Sequence, residues 1–169
     1  EHELGSIDFP NSGAAEAQEP FERGVLLLHS FEFEDSLTAF EEALEIDPDF
    51  YLAYWGAALT HNHPLWRQQD LEAAQEILAR LAPTPEERLA KAPDARERGY
   101  MEALEILYGW GDSDELGKKE RDVAFSEAMA GLSATHPEDL EAKAFYALSI
   151  LGSVSDRDFR TYMRAAAVA

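Results

Sequence analysis

Cysteine is absent from the 169 residues, which removes disulfide bonds, thiolate zinc sites, iron–sulfur ligation and thiol catalysis together. The β-formers are scarce: 4 valines, 5 isoleucines and 5 threonines stand against 27 alanines, 20 leucines and 22 glutamates. That composition predicts an all-α chain with no strand in its body. Cations are scarce as well, 14 lysines and arginines against 34 carboxylates, for a formal charge of −20. A polyanion with no basic stripe repels phosphate and anionic headgroups, so nucleic acid is excluded as a partner. No apolar run approaches the roughly 18 residues a spanning helix needs, which excludes membrane insertion by a helix. Also missing are a glycine-rich phosphate loop, a Gly-x-Ser-x-Gly elbow and a His-Glu-x-x-His pair. With no nucleophile and base at a recognisable spacing, enzymatic activity is not expected. The chain opens at Glu1 without methionine or an apolar leader, which fits a trimmed chain or a mature one after signal removal.

What is present is helical periodicity. Residues 1–14 hold Gly5, Pro10, Asn11, Ser12 and Gly13 around isolated Ile7 and Phe9, and read as an extended arm. From Ala15 the apolar residues fall at helical spacing to the end, so 15–169 is expected to form one helical domain. Helices are predicted over about 16–29 and 34–46, then from Asp49 to near Asn62, where Pro64 intervenes. Asp70 opens the next, with Leu71, Ala74, Ile77, Leu78 and Leu81 inward. Thr84-Pro85-Glu86-Glu87 spells an N-cap, a first-turn proline and a capping-box glutamate, and Asp94 with Glu97 repeats the device. That sixth helix is expected to end at Gly109-Trp110-Gly111. A seventh covers about 117–134, an eighth starts at Pro137 and stops at Gly152, and Ser155 with Asp158 caps a ninth. The run Ala165–Ala169 has no glycine, basic cap or polar stop, and this predicts either a piece of a longer solenoid or a helix end that meets another surface.

Gly24, Ser36 and Pro48 lie twelve residues apart, with Phe40 and Ala43 between. Small residues let two helices cross closely, the aromatic fills the gap, and the proline ends one helix and begins the next. This spacing resembles the tetratricopeptide repeat, with Leu27 at its tyrosine position and Pro20 and Arg23 as departures at its tryptophan and leucine positions. Ala53, Tyr54 and Ala58 resume the pattern, and Ala74 and Leu78 serve the second helix after an insertion at His63-Pro64-Leu65-Trp66. Phe125, Met129, Leu132 and Pro137 carry a looser copy. The strings Arg23-Gly24-Val25-Leu26-Leu27-Leu28-His29-Ser30-Phe31, Ala53-Tyr54-Trp55-Gly56-Ala57-Ala58 and His61-Asn62-His63-Pro64-Leu65-Trp66 further resemble the N-terminal part of larger bacterial, exported tetratricopeptide-repeat proteins. The resemblance implies a right-handed superhelical solenoid of about four antiparallel hairpins and a periplasmic or extracellular setting. No reaction comes with it.

A solenoid offers a concave groove lined by the first helices of its repeats, so the expected function is binding of a protein or peptide segment. The residues expected to contact it are Leu27, Ser30, Tyr54, Ala58 and His61, with the aromatics Trp66 and Trp110. Net charge favours a neutral or cationic partner. Two alternatives stand beside this. His61 and His63, with His29 and Trp66 nearby in the sequence reading, would form a copper or zinc site if the helix has ended by His63, which Pro64 favours. Self-assembly through solenoid ends is the other, the Ala165–Ala169 helix stacking on the arm or first hairpin of another copy. The carboxylate runs Glu32, Glu34 and Asp35, then Glu41, Glu42 and Glu45, then Glu86 and Glu87, fall on predicted polar faces and read as solvated surface.

Overall fold

The computed structural model describes residues 4–110, 113–154 and 158–169. These residues are mostly helical, and they divide into two compact units. The expected breaks at Gly111 and Ser155 lie outside the described residues.

The first unit holds the chain up to Asn62 together with Asp70–Pro93. After the non-helical residues 4–14 comes a short 3₁₀ turn, Ala15–Ala17. Five helices follow: α1 (Gln18–His29), α2 (Phe33–Ile46), α3 (Tyr51–Leu59), α4 (Leu71–Leu81) and α5 (Pro85–Ala90). The first four pack chiefly on their neighbours in sequence, α1 on α2, α2 on α3 and α3 on α4, with a lesser contact between α1 and α3. The reason lies in side-chain size. Phe40 is fully buried, and its ring lies 2.9 Å from where a side chain on Gly24 would begin and 2.4 Å from the same point on Gly56. Only glycine admits the ring at both places. The buried Ser36 hydroxyl donates to the Gly24 carbonyl at 2.7 Å, so the crossing of α1 and α2 is hydrogen-bonded as well as close. All nine residues of α3 are buried, which makes it the centre of this unit.

The arm is tied down by the same core. Phe9 is buried with its ring 5.6 Å from Phe21 and edge-on to Trp55 at 5.9 Å. Asn11 and Gln18 exchange amide hydrogen bonds at 2.8 Å, and Gly13 sits where a Cβ would lie 2.4 Å from the Phe50 ring.

The second unit holds His63–Gln69 and Asp94–Ala169. Its helices are α6 (Ala95–Leu107), α7 (Lys118–Thr135), α8 (Leu140–Ser153) and α9 (Phe159–Ala166), and again each packs on the next. Gly99 leaves room for Leu132, whose Cδ1 lies 2.6 Å from a hypothetical Cβ there. Ser149 donates to Ser126 at 2.9 Å between α8 and α7.

Local signals place most helix starts. Asp70, Thr84, Asp94 and Asp158 each accept a hydrogen bond from the backbone N–H three residues on, and Thr84 with Glu87 forms the full capping box. Four expectations are corrected. Helix α3 ends at Leu59 and not near Asn62, where the Thr60 hydroxyl turns back to the Ala57 carbonyl at 2.7 Å. Beyond it, strands β1 (Asn62–His63) and β2 (Gln68–Gln69) form a two-stranded hairpin, although the composition predicts no strand. Pro64 biases His63 to extended backbone, and Arg67 at φ +57° closes the turn. The ladder is two residues a side, and α3 still packs on α4 around it. Helix α8 starts at Leu140 and not at Pro137, because the Asp139 carboxylate, accepting from Ala142 N–H at 3.0 Å, provides the cap. Gly152 does not stop it; the helix runs through Ser153, and the glycine admits Pro64, whose Cβ lies 2.8 Å from a hypothetical side chain. Among the described residues no helix is long and apolar enough to cross a membrane.

Helix propensity alone makes Gly56→Ala stabilising by about 1 kcal/mol, whereas overpacking against a buried ring costs about 1–3 kcal/mol. The 2.4 Å approach predicts that the clash wins: Gly56→Ala lowers the urea midpoint, and adding Phe40→Leu recovers part of the loss. A raised midpoint for Gly56→Ala alone would show that the ring yields freely.

Candidate functional site

Of the residues expected to line a groove, five belong to the first unit. Leu27 is half-buried and Ser30 exposed at the end of α1, where the Ser30 hydroxyl donates to the Leu26 carbonyl at 3.0 Å. Ala58 is completely buried, so no partner reaches its methyl group. Tyr54 is nearly as enclosed. Its hydroxyl donates to the Pro48 carbonyl at 3.0 Å, and the Arg80 guanidinium lies over its ring at 5.8 Å. Arg80 is held by a bidentate pair with Glu41 at 2.6 and 2.9 Å. Burial pushes the Tyr54 phenol above its ordinary pKa, and the hydrogen bond that Arg80 donates to Glu41 does the same for Arg80, so both keep their usual protonation states around neutral pH. Tyr54 and Ala58 are therefore buried positions of α3. His61 is half-buried, and its backbone is fixed at both ends: its N–H donates to Ala58 and its carbonyl accepts from Asp70 N–H, at 3.1 and 2.9 Å. The accessible set in this unit is Leu27, Ser30 and His61.

Trp66 and Trp110 belong to the second unit. Trp66, on the hairpin turn, is 55% exposed. Trp110 is half-buried beyond Gly109, which takes φ +74° to end α6, and its N–H donates to the Glu105 carbonyl at 3.0 Å. His61 falls in the first unit and His63 in the second. Among the described residues no group of three histidine, aspartate or glutamate side chains is placed to hold a metal ion. Two shallow hollows open in the second unit. One, about 230 Å³, is bounded by Arg67, Lys118, Lys119 and Asp122; the other, about 310 Å³, is floored by Val123 and Ala124. Both sit at or below the lower end of the roughly 300–1,000 Å³ typical of small-molecule sites.

The sequence reading missed a buried polar cluster in the second unit. Asp139 Oδ2 accepts from Arg96 Nε at 2.6 Å and from the Tyr100 hydroxyl at 2.9 Å, while its Oδ1 caps α8. The Arg96 guanidinium also lies 5.2 Å over the Tyr100 ring. Burial drives the Tyr100 phenol far above its ordinary pKa, with the Asp139 charge adding to it. Burial alone would lower Arg96, but the hydrogen bond and charge of Asp139 reverse this and raise it. This pair, its side chains 17% and 5% exposed, links α6 to the start of α8. Its only trace in the sequence is an aspartate just before an apolar run, the ordinary cap signal.

Charge is unevenly satisfied at the surface. Arg23 pairs with Glu19 at 2.8 Å and also with Glu42, and Arg98 pairs with Glu102 at 2.8 Å. Glu32, Glu34 and Asp35, at the corner between α1 and α2, are exposed and form no ion pair among the described residues. Comparison of the chain with protein-family models, with curated proteins and with solved structures finds no match.

Removing one member of a buried pair strands the other. Asp139→Ala is expected to cost about 3 kcal/mol or more in urea unfolding, against about 1 kcal/mol for Asp94→Ala, which loses a cap alone. Equal losses for the two variants would reduce Asp139 to a helix cap.

Proposed function

We propose that the chain is a tetratricopeptide-like scaffold, its hairpins stacked as a right-handed solenoid, which binds a neutral or cationic peptide segment along the first helices of its repeats. The observation that carries this reading is the crossing of α1 and α2: Gly24 and Ser36, twelve residues apart as in a stacked hairpin, meet with the Phe40 ring between the helices, and the same ring reaches Gly56 of the next hairpin. Neighbour-on-neighbour packing of successive helices in each unit supports it. Leu27, Ser30 and His61 are the contact residues of the first unit, with Tyr54 and Ala58 beneath them, and Trp66 and Trp110 serve as contacts in the second. The charge of −20 selects against acidic segments and accelerates encounter with basic ones. The family resemblance supports an exported setting for such a scaffold.

The test is a fluorescence-anisotropy titration with three labelled ten-residue peptides of equal apolar content and net charges of about +4, 0 and −4, at low and high salt. Binding should fall in that order, and the preference for the cationic peptide should shrink at high salt. Leu27→Asp and His61→Ala should each weaken it about tenfold with the helical circular dichroism unchanged. Equal binding of all three peptides, or variants that bind like the parent, would overturn the reading.

A further inference from the structure

Helix α9 faces the wrong way for a helix of an isolated domain. Phe159, Tyr162, Met163 and Ala166 recur at i, i+3, i+4 and i+7 and so share one face. That face is turned outward: Phe159 is 77%, Tyr162 52% and Met163 55% exposed, while Ala165 is the one buried residue of the helix. Arg160 and Arg164, one turn apart, flank the apolar stripe on one side, and neither forms an ion pair among the described residues. In a chain this short of cations, most other arginines are bonded. Two that form no ion pair among the described residues, beside three exposed apolar side chains, make a surface that fits an apolar contact rimmed by carboxylates.

The chain carries such a surface. At the turn from α1 to α2, Phe31 and Phe33 stack with ring centroids 6.2 Å apart, half-buried, between the exposed Glu32, Glu34 and Asp35. Phe31 holds φ +62°, a conformation that costs a bulky residue energy and that surrounding contacts must sustain. We propose that α9 of one copy docks on this acidic aromatic corner of a second copy, Phe159 and Met163 against the Phe31–Phe33 pair and Arg160 and Arg164 against Glu32, Glu34 and Asp35. Pairing of α9 with α9 is disfavoured because it sets arginine against arginine. The net charge of −20 likewise works against an anionic membrane as the occupant. The contact joins different surfaces, so it is heterologous and extends into rings or filaments. An eight-residue helix covers less than the roughly 800 Å² per partner of a standard interface, so the association is weak and concentration-dependent.

Sedimentation velocity of the full chain over a concentration series from about 10 µM to 1 mM reads it directly. The mean mass should rise with concentration at low salt and rise less at high salt. Phe159→Asp with Met163→Asp should leave a monomer. Arg160→Glu with Arg164→Glu should do so too, as should Glu34→Lys with Asp35→Lys, with circular dichroism unchanged in each. An equimolar mixture of those two charge-reversed variants should associate again, because each supplies the face that the other lacks. A parent chain monomeric throughout the series overturns the proposal. So does a mixture that stays monomeric while the parent associates, and so does a monomeric parent that instead binds vesicles of anionic phospholipid.

Discussion

A single aromatic ring sets the terms for the first unit. Phe40 needs a space wide enough for a ring and shallow enough to be filled by nothing else, and the chain provides it by omitting a side chain at Gly24 on one helix and at Gly56 on another. Close packing leaves no slack there, because the interior is about as dense as an organic crystal. Once the ring is seated, the Ser36 hydroxyl lies against the Gly24 carbonyl and fixes the crossing of α1 and α2. Helix α3 is then enclosed on every face, which is why its nine residues carry no exposed side chain. The arm follows as a consequence: Phe9 inserts beside Phe21 and Trp55 only because those side chains already stand in register.

Electrostatics divides the surface into spent and unspent charge. Cations are few, and three arginines are committed to carboxylates of other helices: Arg80 to Glu41 above Tyr54, Arg23 to Glu42, Arg96 to Asp139. The exposed pairs among these contribute little to stability, of the order of 0–1 kcal/mol each. Arg96 and Asp139 differ because they are enclosed, and a buried charge that loses its partner is costly. The acids at the α1–α2 corner and the arginines of α9 are among the charges that form no ion pair within the described residues.

How much of this the sequence shows depends on how local each interaction is. The caps at Asp70, Thr84 and Asp94 involve residues three apart, so they are legible from spacing alone. The Gly24–Ser36–Phe40 crossing is legible as well, since its members recur at fixed intervals within one hairpin. Asp139 and Arg96 are 43 residues apart with no periodic signal linking them, and nothing in the chain announces that they meet. The hairpin at 62–69 hides behind a single proline. Periodicity finds the apolar face of α9 but cannot say that it faces outward. For the same reason Tyr54 and Ala58, one turn apart on α3, look from spacing like contact residues and prove to be buried.

Native-state hydrogen exchange across α1, α2 and α3 tests the central claim most directly, with Phe40→Ala as the perturbation. If the ring holds the three helices as one cooperative body, the slowest amides around Gly24, Ser36 and Gly56 should lose protection together and by the same factor. Loss confined to α2, with α1 and α3 still exchanging as slowly as before, would contradict it.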